Sequence, residues 1–515
     1  MRRRRARFVE PVNTQAMSDQ GDNNSSAREG RPEIRFRRLG ETAAACKAAF
    51  CGPADRPVRA VGTDSRRLAP GDLFVALPGP RYDGHDFVRA ALEAGAAAAV
   101  VQRDRMKALG DLPQGRLLVV EDSYRALADL ASEIRRRFRG PVVAVAGSNG
   151  KTSFKEMLAA VLRQRGPVLA SPGNYNNRIG VPLTLLGLTS EHWAAVVEAG
   201  TNHPGELAFL LRIIRPDYGA ITSIGPEHLE FFKGIEGVIE EEGALARALP
   251  SEGRLFVCGD CEGLDRLLAW ARCPVERAGF GPANEWRVAK AVSTSQGVRF
   301  HLEAPAPAFS GEYKLKFLGR AQAVNAAMAV AAGRALGVEA RAIRRALASC
   351  PPPPGRLVCR ERGGLLLLDD TYNANPASML NALEALAEAG AGRRKVAILG
   401  DMAELGSCAP AEHARIGRAA ARAGVSALFA VGEMAAVMAQ AAREAGAKAF
   451  EFDQVEDLVE GAVRLLRPGD AVLVKASRSV GLERIVRRLE EAFGQEGDHA
   501  GRRLKNGGTR LWCTI

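Results

Sequence analysis

A glycine-rich segment between a predicted strand and a predicted helix constrains this chain more than any other feature. The segment follows the apolar run Val142–Ala146 and leads into the helical pattern Ser153–Arg163. A buried strand, a glycine loop and a helix N-terminus together favour phosphate binding, because backbone N–H groups and the helix dipole face the anion. The expected phosphate-binding residues are Gly147, Ser148, Asn149, Gly150, Lys151, Thr152 and Ser153.

Two members of this loop have side chains suited to phosphate chemistry. Lys151 can reach the β- and γ-phosphates of a nucleotide, and Thr152 can hold Mg²⁺. The loop is shorter than the full consensus, which has glycine where Val145 stands. An ordinary glycine turn before a helix is the alternative interpretation.

The pattern of apolar runs predicts an α/β fold in three parts. Residues 35–139, 140–353 and 354–493 each alternate strand-like and helical runs. In the second part this alternation predicts a parallel sheet covered by helices on both faces, with an antiparallel patch between residues 286 and 318. Pro351–Pro354 and Gly355 form a stiff linker before the third part.

The net charge of +12 is concentrated near the two ends of the chain. Residues 1–40 carry a net charge of +5 and residues 496–515 a net charge of +2, so the remaining body is only mildly basic. We therefore expect basic tails over 1–34 and 494–515, no concentrated basic surface elsewhere and no nucleic-acid partner. The run Arg2–Arg5 leaves contact with RNA or anionic lipid open, against a solvated tail.

Apolar runs and cysteines restrict the cellular setting. No stretch approaches 18 uninterrupted apolar residues, which argues against insertion into a membrane. Nine cysteines without framework spacing and no visible secretory signal favour a reducing cytoplasm. The start is open between Met1 and Met17.

Several longer motifs resemble those of the Mur ligase family. The similar segments are Thr63–Arg66, Gly71–Leu77, Asp83–His85, Gly173–Thr184, Glu198–Glu206, Ile221–Glu230, Asp369–Pro376, Gly400–Gly406 and Val474–Arg478. The last three are similar to the family member that adds D-alanyl-D-alanine to UDP-N-acetylmuramoyl tripeptide. The resemblance therefore implies an ATP-dependent amide ligase that works through an acyl phosphate, with ATP and Mg²⁺ as cofactors.

The resemblance also implies an architecture and a set of site residues. The expected parts are a UDP-sugar domain, a central ATPase domain with the phosphate loop and a Rossmann-like C-terminal domain that closes over ATP, in a monomer. Expected catalytic residues are Lys151, Glu198, His228 and Glu242, and expected metal ligands are Thr152, Glu198, His228 and Glu242. Further nucleotide contacts are expected from Asn325, Arg356 and Asp370. Expected substrate contacts are Ser65, Arg66, Asn174, Asn176, Asn177, Asn202, His203, Tyr372, Asn373 and Asn375.

The chain departs from the family pattern at four places. Glu242 stands where the family has a carbamylated lysine, and we interpret it as a direct substitute, against a solvated face in the acidic run 240–242. Cys258 replaces an asparagine expected near adenine, and Cys258-x-x-Cys261 lacks a second pair at zinc spacing. Ala321-Gln322 replace His-Asn, and Ala476 replaces a glycine.

Several roles stay open at this level. Glu198 suits Mg²⁺ but can also cap a turn, and His228 can be a structural histidine because imidazole is an unusual Mg²⁺ ligand. His203 can stabilise its turn or contact substrate, and Asn373–Asn375 can be an ordinary helix-starting turn. Another Mur-type ligase, a folylpolyglutamate synthase and a nucleic-acid-dependent ATPase are the alternative functions.

Overall fold

The structure is a computed structural model that describes residues 35–494. The two predicted tails lie outside the described residues, apart from Gly494. No helix within the described range combines the length and the apolar character needed to cross a membrane.

The first part of the fold is a four-stranded parallel sheet with helices against it. Its strands lie in the order β1-β2-β3-β4. The elements are α1 (Leu39–Ala45), β1 (Val61–Gly62), β2 (Leu73–Val75), α2 (Val88–Glu93), β3 (Ala98–Gln102), β4 (Leu117–Val120) and α3 (Ser123–Arg137). Asp122 caps α3 by accepting hydrogen bonds from the backbone N–H groups of Tyr124 at 2.7 Å and Arg125 at 3.2 Å.

The central part is a nine-stranded sheet flanked by helices. The elements are β5 (Val142–Ala146), α4 (Lys151–Leu162), β6 (Val168–Ala170), α5 (Gly180–Leu186), β7 (Ala194–Glu198), α6 (Glu206–Ile214), β8 (Tyr218–Ile221), α7 (Leu229–Phe232), α8 (Ile235–Ala248), β9 (Arg254–Cys258), α9 (Leu264–Leu268), β10 (Val275–Gly279), β11 (Trp286–Thr294), β12 (Gly297–Glu303), β13 (Gly311–Leu315), α10 (Ala321–Ala335) and α11 (Ala340–Ser349). The strand order is β13-β12-β11-β10-β9-β8-β5-β7-β6.

The connections of the central sheet place its ligand edge. Strand β5 is buried throughout and pairs in parallel with β7 on one side and β8 on the other. The connection from β5 leads to β6 on one side, and the connection from β7 crosses β5 to reach β8 on the other side; the crevice at such a switch point binds ligands in open α/β sheets. The predicted antiparallel patch is present as β11, β12 and β13.

The third part is a six-stranded sheet in the order β14-β15-β19-β16-β17-β18, in which all pairs except β14 with β15 are parallel. The elements are β14 (Val358–Arg362), β15 (Leu365–Asp370), α12 (Pro376–Ala389), β16 (Arg394–Gly400), α13 (Ala409–Arg422), β17 (Val425–Val431), α14 (Ala435–Glu444), β18 (Lys448–Phe452), α15 (Val455–Leu465), β19 (Asp470–Lys475) and α16 (Glu483–Gly494). The prediction of three α/β parts around a central parallel sheet is confirmed.

The prediction of no concentrated basic surface is wrong for one face of the central part. A groove of about 1210 Å³ lies where α3, α6 and α8 end, near the amino ends of β5 and β8. The arginines in its lining are Arg135, Arg136, Arg139, Arg212, Arg215, Arg247 and Arg272. Three of these arginines belong to the run 135–139, and the other four come from other segments, so the run by itself does not show the groove. Helix C-termini carry partial negative charge, which the arginines offset.

Candidate active site

One polar cavity of about 1900 Å³ lies between the three parts of the fold. The central part contributes the carboxyl ends of β5, β7 and β8, and the third part contributes the carboxyl ends of β15 and β19. The first part contributes Tyr124 and Arg125 from the start of α3. The three parts of the fold can therefore each bind a chemically different group in this space, whether the groups belong to one ligand or to several.

The glycine segment has the backbone geometry of a tight loop. Gly147 has φ of 117° and Gly150 has φ of 89°, values that L side chains rarely adopt. A Cβ atom on Gly150 would lie 2.8 Å from Nδ2 of Asn325, and one on Gly147 would lie 2.7 Å from Oγ1 of Thr222. The loop therefore needs glycine at both positions, for conformation and for space.

The loop after β8 holds the phosphate loop in place. Ser223 accepts a hydrogen bond from the backbone N–H of Ser148 at 2.9 Å, and its side chain accepts one from Asn149 N–H at 2.8 Å. Thr222 Oγ1 donates to the carbonyl of Asn149 at 2.6 Å. These bonds engage the backbone directly after Ile221, where β8 ends.

Thr152 and Glu198 form the best-defined polar contact of the cavity. Thr152 Oγ1 lies 3.2 Å from Glu198 Oε1, which also accepts a hydrogen bond from Asn176 Nδ2 at 2.9 Å. Arg356 from the third part donates to Thr152 Oγ1 at 3.1 Å. The second carboxylate oxygen of Glu198 is buried without a hydrogen-bond partner. An unpaired buried oxygen is costly unless a ligand satisfies it.

A second acidic group lies under the phosphate loop. Glu227 and Glu242 are 5% and 1% exposed, and each has one buried oxygen without a partner. Burial and the neighbouring Glu227 raise the pKa of Glu242 to about 8, although Lys151 opposes the shift. Lys151 lies 3.9 Å from Glu227 and donates to the Gly147 carbonyl. Two carboxyl groups therefore face a single lysine, and this arrangement favours the binding of a further cation.

The predicted acidic run on α8 divides into three environments. Glu240 is exposed and pairs with Arg247 at 2.9 Å. Glu241 is buried and accepts hydrogen bonds from the N–H groups of Gly205 and Leu207, both at 2.7 Å, at the start of α6. A solvated acidic face is therefore wrong for Glu241 and Glu242, because both point into the protein.

The residues present suit a magnesium ion that is bound partly by phosphate and water. They do not suit a metal ion whose ligands are all protein side chains. Among the described residues, no three His, Cys, Asp or Glu side chains converge closely enough to hold a metal ion. Mg²⁺ usually takes one or two carboxylates and completes its shell with water and phosphate oxygens. Thr152 and Glu198 offer such a pair, with one carboxylate oxygen free.

His228 links the central and third parts. Its backbone lies in the left-handed region, with φ of 48°, and its Nδ1 is hydrogen-bonded to Glu404. Its Nε2 lies 4.0 Å from Glu227 Oε2. The hydrogen bond from His228 lowers the pKa of Glu404. The metal role of His228 stays a prediction, while its bridging contact is a feature of this fold.

The third part places several predicted residues at the cavity. Asn375 Nδ2 donates to Asn149 Oδ1 of the phosphate loop at 3.0 Å, and the Arg356 guanidinium lies 4.0 Å from the centre of the Tyr372 ring. Asp370 pairs with the buried Lys475 at 2.7 Å. Burial lowers the pKa of Lys475, and Asp370 opposes that shift.

The remaining predicted residues divide into those at the cavity and those outside it. Further predicted residues in its lining are Ser153, Asn174, Asn177, Asn202, His203, Asn325 and Asn373. His203 stacks near Phe231, with ring centres 4.2 Å apart. Ser65 and Arg66 do not line the cavity, and Arg66 is exposed and bonded to Asp64 at 2.9 Å.

The cavity lining includes many residues that were absent from the predicted set, and four charged examples interact with predicted residues. They are Glu227, Glu404, Lys475 and Arg478. Each lies inside a motif used for the family resemblance, directly beside or within a strand-end segment, and that position was the available signal. Their contacts join segments that are distant in the chain, so the spacing of residues along the chain does not show them.

The three sheets and their shared cavity define a phosphate-loop α/β protein in which the third part contacts the loop directly. Three family models match the chain: Mur ligase family, catalytic domain, over residues 57–139; Mur ligase middle domain, over 145–333; and Mur ligase, glutamate ligase domain, over 355–478. The chain belongs to the Mur ligase family.

Individual relatives cover most of the chain. The UDP-N-acetylmuramoyl-tripeptide--D-alanyl-D-alanine ligase of Escherichia coli K12 is 37% identical over 452 residues, which are 85% of this chain and 95% of that protein. A crystal structure of MurF from Acinetobacter baumannii aligns with a TM-score of 0.80 at 30% identity, covering 89% and 100% of the two chains. MurF ligase from Thermotoga maritima in complex with ADP aligns with a TM-score of 0.74 at 29% identity, covering 85% and 98%.

Proposed function

We propose that the protein joins D-alanyl-D-alanine to UDP-N-acetylmuramoyl tripeptide in an ATP-dependent reaction, as a cytoplasmic monomer that makes peptidoglycan precursors. The observation that carries this proposal is the single cavity shared by the phosphate loop, the start of α3 and the Tyr372–Asn375 segment. A ligase of this kind needs a nucleotide, an acid and an amine at one point. The names of the relatives supply the identities of the acid and the amine.

The phosphate loop and its neighbours suit binding of ATP. Backbone N–H groups of the loop and the N-terminus of α4 face the phosphates, and Lys151 and Arg356 bring positive charge from two parts of the fold. Phosphoryl transfer depends mainly on positioning and on fixed charge. In this proposal Asp370 and Asn325 orient the nucleotide from opposite sides of the cavity.

Thr152 and Glu198 would hold Mg²⁺ at the phosphates, with Glu242 and His228 as further proposed ligands. When bound, the ion neutralises negative charge on the phosphoryl groups. Glu227 adds negative charge beneath the loop, Glu242 does so once it loses its proton, and Lys151 lies 3.9 Å from Glu227. The chain itself therefore contributes a fixed alternation of charges around the reacting group.

The acid and the amine react in two steps. A carboxylate oxygen of the tripeptide attacks the γ-phosphorus, and ADP leaves. The dipeptide nitrogen then attacks the acyl carbon and loses a proton, and inorganic phosphate leaves. Contacts of the third part with the loop, through Asn375 and Arg356, favour exclusion of water that would hydrolyse the acyl phosphate.

The substrate-binding residues divide between the parts. We propose that Asn174, Asn176, Asn177, Asn202 and His203 bind the tripeptide, and that Tyr372, Asn373 and Asn375 bind the dipeptide. Ser65 and Arg66 lie in the first part outside the cavity, where they suit the UDP end of a long substrate.

An assay of ADP release across candidate acids and amines tests the proposal. Release should require D-alanyl-D-alanine together with UDP-N-acetylmuramoyl tripeptide, supplied with either lysine or diaminopimelate as the third residue. Single amino acids with shorter muramoyl peptides test another Mur-type ligase, and glutamate with a folate tests folylpolyglutamate synthesis. Turnover confined to either of those pairs would contradict the proposal.

The variant Lys151→Ala provides the matched inactive control. Preorganised charge at a phosphoryl group contributes several kcal/mol to the transition state, so turnover should fall at least ~100-fold while the chain stays folded. Near-normal ADP release by a folded Lys151→Ala protein would remove the phosphate loop from the mechanism.

A further inference from the structure

Two cysteine thiols lie beside the cavity. Cys258 is the last residue of β9 and lines the cavity, and Cys261 lies three residues later in the turn before α9. The two side chains are close enough to interact, and both residues are half-buried. Cys258 is the only cysteine in the described part of the chain that lines the cavity.

The pair is connected to the loop that carries two site residues. Cys261 Sγ accepts a hydrogen bond from the backbone N–H of Ile224 at 3.4 Å. Ile224 lies in the segment that leads from β8 to Glu227 and His228. A change at Cys261 therefore acts directly on the segment that places both side chains.

The surroundings distinguish the two thiols chemically. The interaction with the Cys258 thiol and the hydrogen bond from Ile224 N–H lower the pKa of Cys261. The same contact and burial raise the pKa of Cys258. A thiolate is the reactive form of cysteine, so Cys261 is the nucleophile and Cys258 the resolving thiol. In the described residues no further metal-binding side chains join them in a metal-holding group.

We propose that Cys258 and Cys261 form a modification site that reacts with hydroperoxides and closes into a disulfide, and that this closure weakens nucleotide binding. The sulfur of Cys261 attacks one peroxide oxygen, the O–O bond breaks, and Cys261 becomes a sulfenic acid while water or an alcohol leaves. The sulfur of Cys258 then attacks the sulfur of Cys261, the S–O bond breaks, and water leaves with the thiol proton. The cysteines lose two electrons, and the peroxide gains them.

The effect on nucleotide binding rests on the proposed function, while formation of the disulfide does not. A disulfide sulfur is a weaker hydrogen-bond acceptor than a thiolate, so closure weakens the bond from Ile224. The loop after β8 also holds Ser148 and Asn149 of the phosphate loop, through Ser223. Loss of one such restraint should weaken ADP binding about five- to tenfold.

Peptide mapping of the full chain tests disulfide formation. Cys51, Cys408 and Cys513 are replaced by serine, so that exposed and terminal thiols do not obscure the result. After treatment with hydrogen peroxide, blocking of free thiols and digestion, mass spectrometry should find a disulfide between Cys258 and Cys261 that dithiothreitol removes. Oxidation of other cysteines without this disulfide would overturn the proposal.

Two single variants test the assigned roles. In the same background, Cys258→Ser should stop at a sulfenic acid on Cys261 that dimedone traps, whereas Cys261→Ser should leave Cys258 largely unlabelled. Equal labelling of both variants, or labelling only of Cys258, would overturn the assignment of nucleophile and resolving thiol.

Calorimetric titration with ADP and Mg²⁺ tests the consequence. Oxidised protein should bind ADP about five- to tenfold more weakly than reduced protein, with recovery after dithiothreitol, and Cys261→Ser should show no change on peroxide treatment. Equal affinities of reduced and oxidised protein would overturn the effect on binding. Absence of ADP binding by the reduced protein would instead contradict the proposed function, and the peptide map would still decide on the disulfide.

Discussion

Glu240, Glu241 and Glu242 follow one another on α8 but have different surroundings. Helical geometry turns successive side chains by about 100°, so one points to solvent, one to the start of α6 and one to the phosphate loop. Glu240 pairs with Arg247, Glu241 accepts backbone N–H groups, and Glu242 is 1% exposed. Conservative substitutions at these three positions should therefore have different effects.

Glu242→Gln should raise the Mg²⁺ concentration needed for half-maximal ADP release. The substitution removes a carboxyl group that can give up its proton when Mg²⁺ binds and so become negative, and attraction between charges is strong in a dry site. Titration of turnover with Mg²⁺ measures the requirement, with Glu240→Gln as the matched control. Equal requirements in the two variants would contradict a role for Glu242 in metal binding.

Glu241→Gln should lower stability by about 1–3 kcal/mol, because the two backbone N–H groups donate to different oxygens and glutamine keeps only one: one N–H loses its acceptor and the other hydrogen bond becomes neutral. Urea unfolding measures the change, and Glu240→Gln should leave the midpoint near the wild-type value. A wild-type midpoint for Glu241→Gln would show that the start of α6 does not depend on this carboxylate.

Glu242 should also make the metal-free protein less stable as the pH rises. Its pKa in the folded chain is raised to about 8 from an ordinary value of 4.5. The folded state then binds a proton that the unfolded state has released, so stability falls between about pH 4.5 and pH 8. In a chelating buffer, the melting temperature of Glu242→Gln should fall less over this interval than that of the wild type. Parallel curves would contradict the shifted pKa.

At the scale of elements, α12 begins with a residue that serves two purposes. Asn375 Oδ1 accepts a hydrogen bond from Ser378 N–H at 2.8 Å, and Ser378 Oγ accepts one from Asn375 N–H at 3.0 Å, which completes a capping box. The Nδ2 atom of the same Asn375 donates to Asn149. The start of this helix therefore connects the third part to the phosphate loop.

Asn375→Ser separates the two purposes. Serine keeps the cap but is too short to reach Asn149, so stability should change little while KM for ATP rises about fivefold. Ser378→Ala is the reverse control, because it weakens the capping box by about 0.5–1 kcal/mol and leaves the contact with Asn149 in place. ATP titrations and urea unfolding measure both. The same KM for ATP in the two variants would contradict a role for the contact between Asn375 and Asn149 in ATP binding.

At the scale of the whole molecule, the described residues of the cavity come from all three parts of the fold. Deletion of residues 1–34 should leave turnover and melting temperature nearly unchanged, since that segment has little apolar content. Filter binding with RNA, with and without these residues, gives a matched test of the nucleic-acid alternative. A large loss of turnover or stability would show that the segment supports the body.

The sequence was sufficient for the parts of the fold that depend on local pattern. The strand Val142–Ala146 was predicted with its observed bounds, because a continuous apolar run between turn residues indicates a buried parallel strand. The phosphate loop was also evident, because its glycines, lysine and threonine are adjacent in the chain. The family and the three-part α/β architecture followed from motifs that are each contiguous.

Only the tertiary structure decided features made from distant segments. The bond between His228 and Glu404 spans 176 positions, and the contact between Asn375 and Asn149 spans 226. The basic groove likewise joins arginines from separate helix ends. The buried state of Glu242 depends on α8 packing under the loop. The contacts in the cavity arise because parallel strands bring their carboxyl ends together there, whereas the groove forms at the opposite, amino ends of the strands; burial and charge at both places depend on which segments meet.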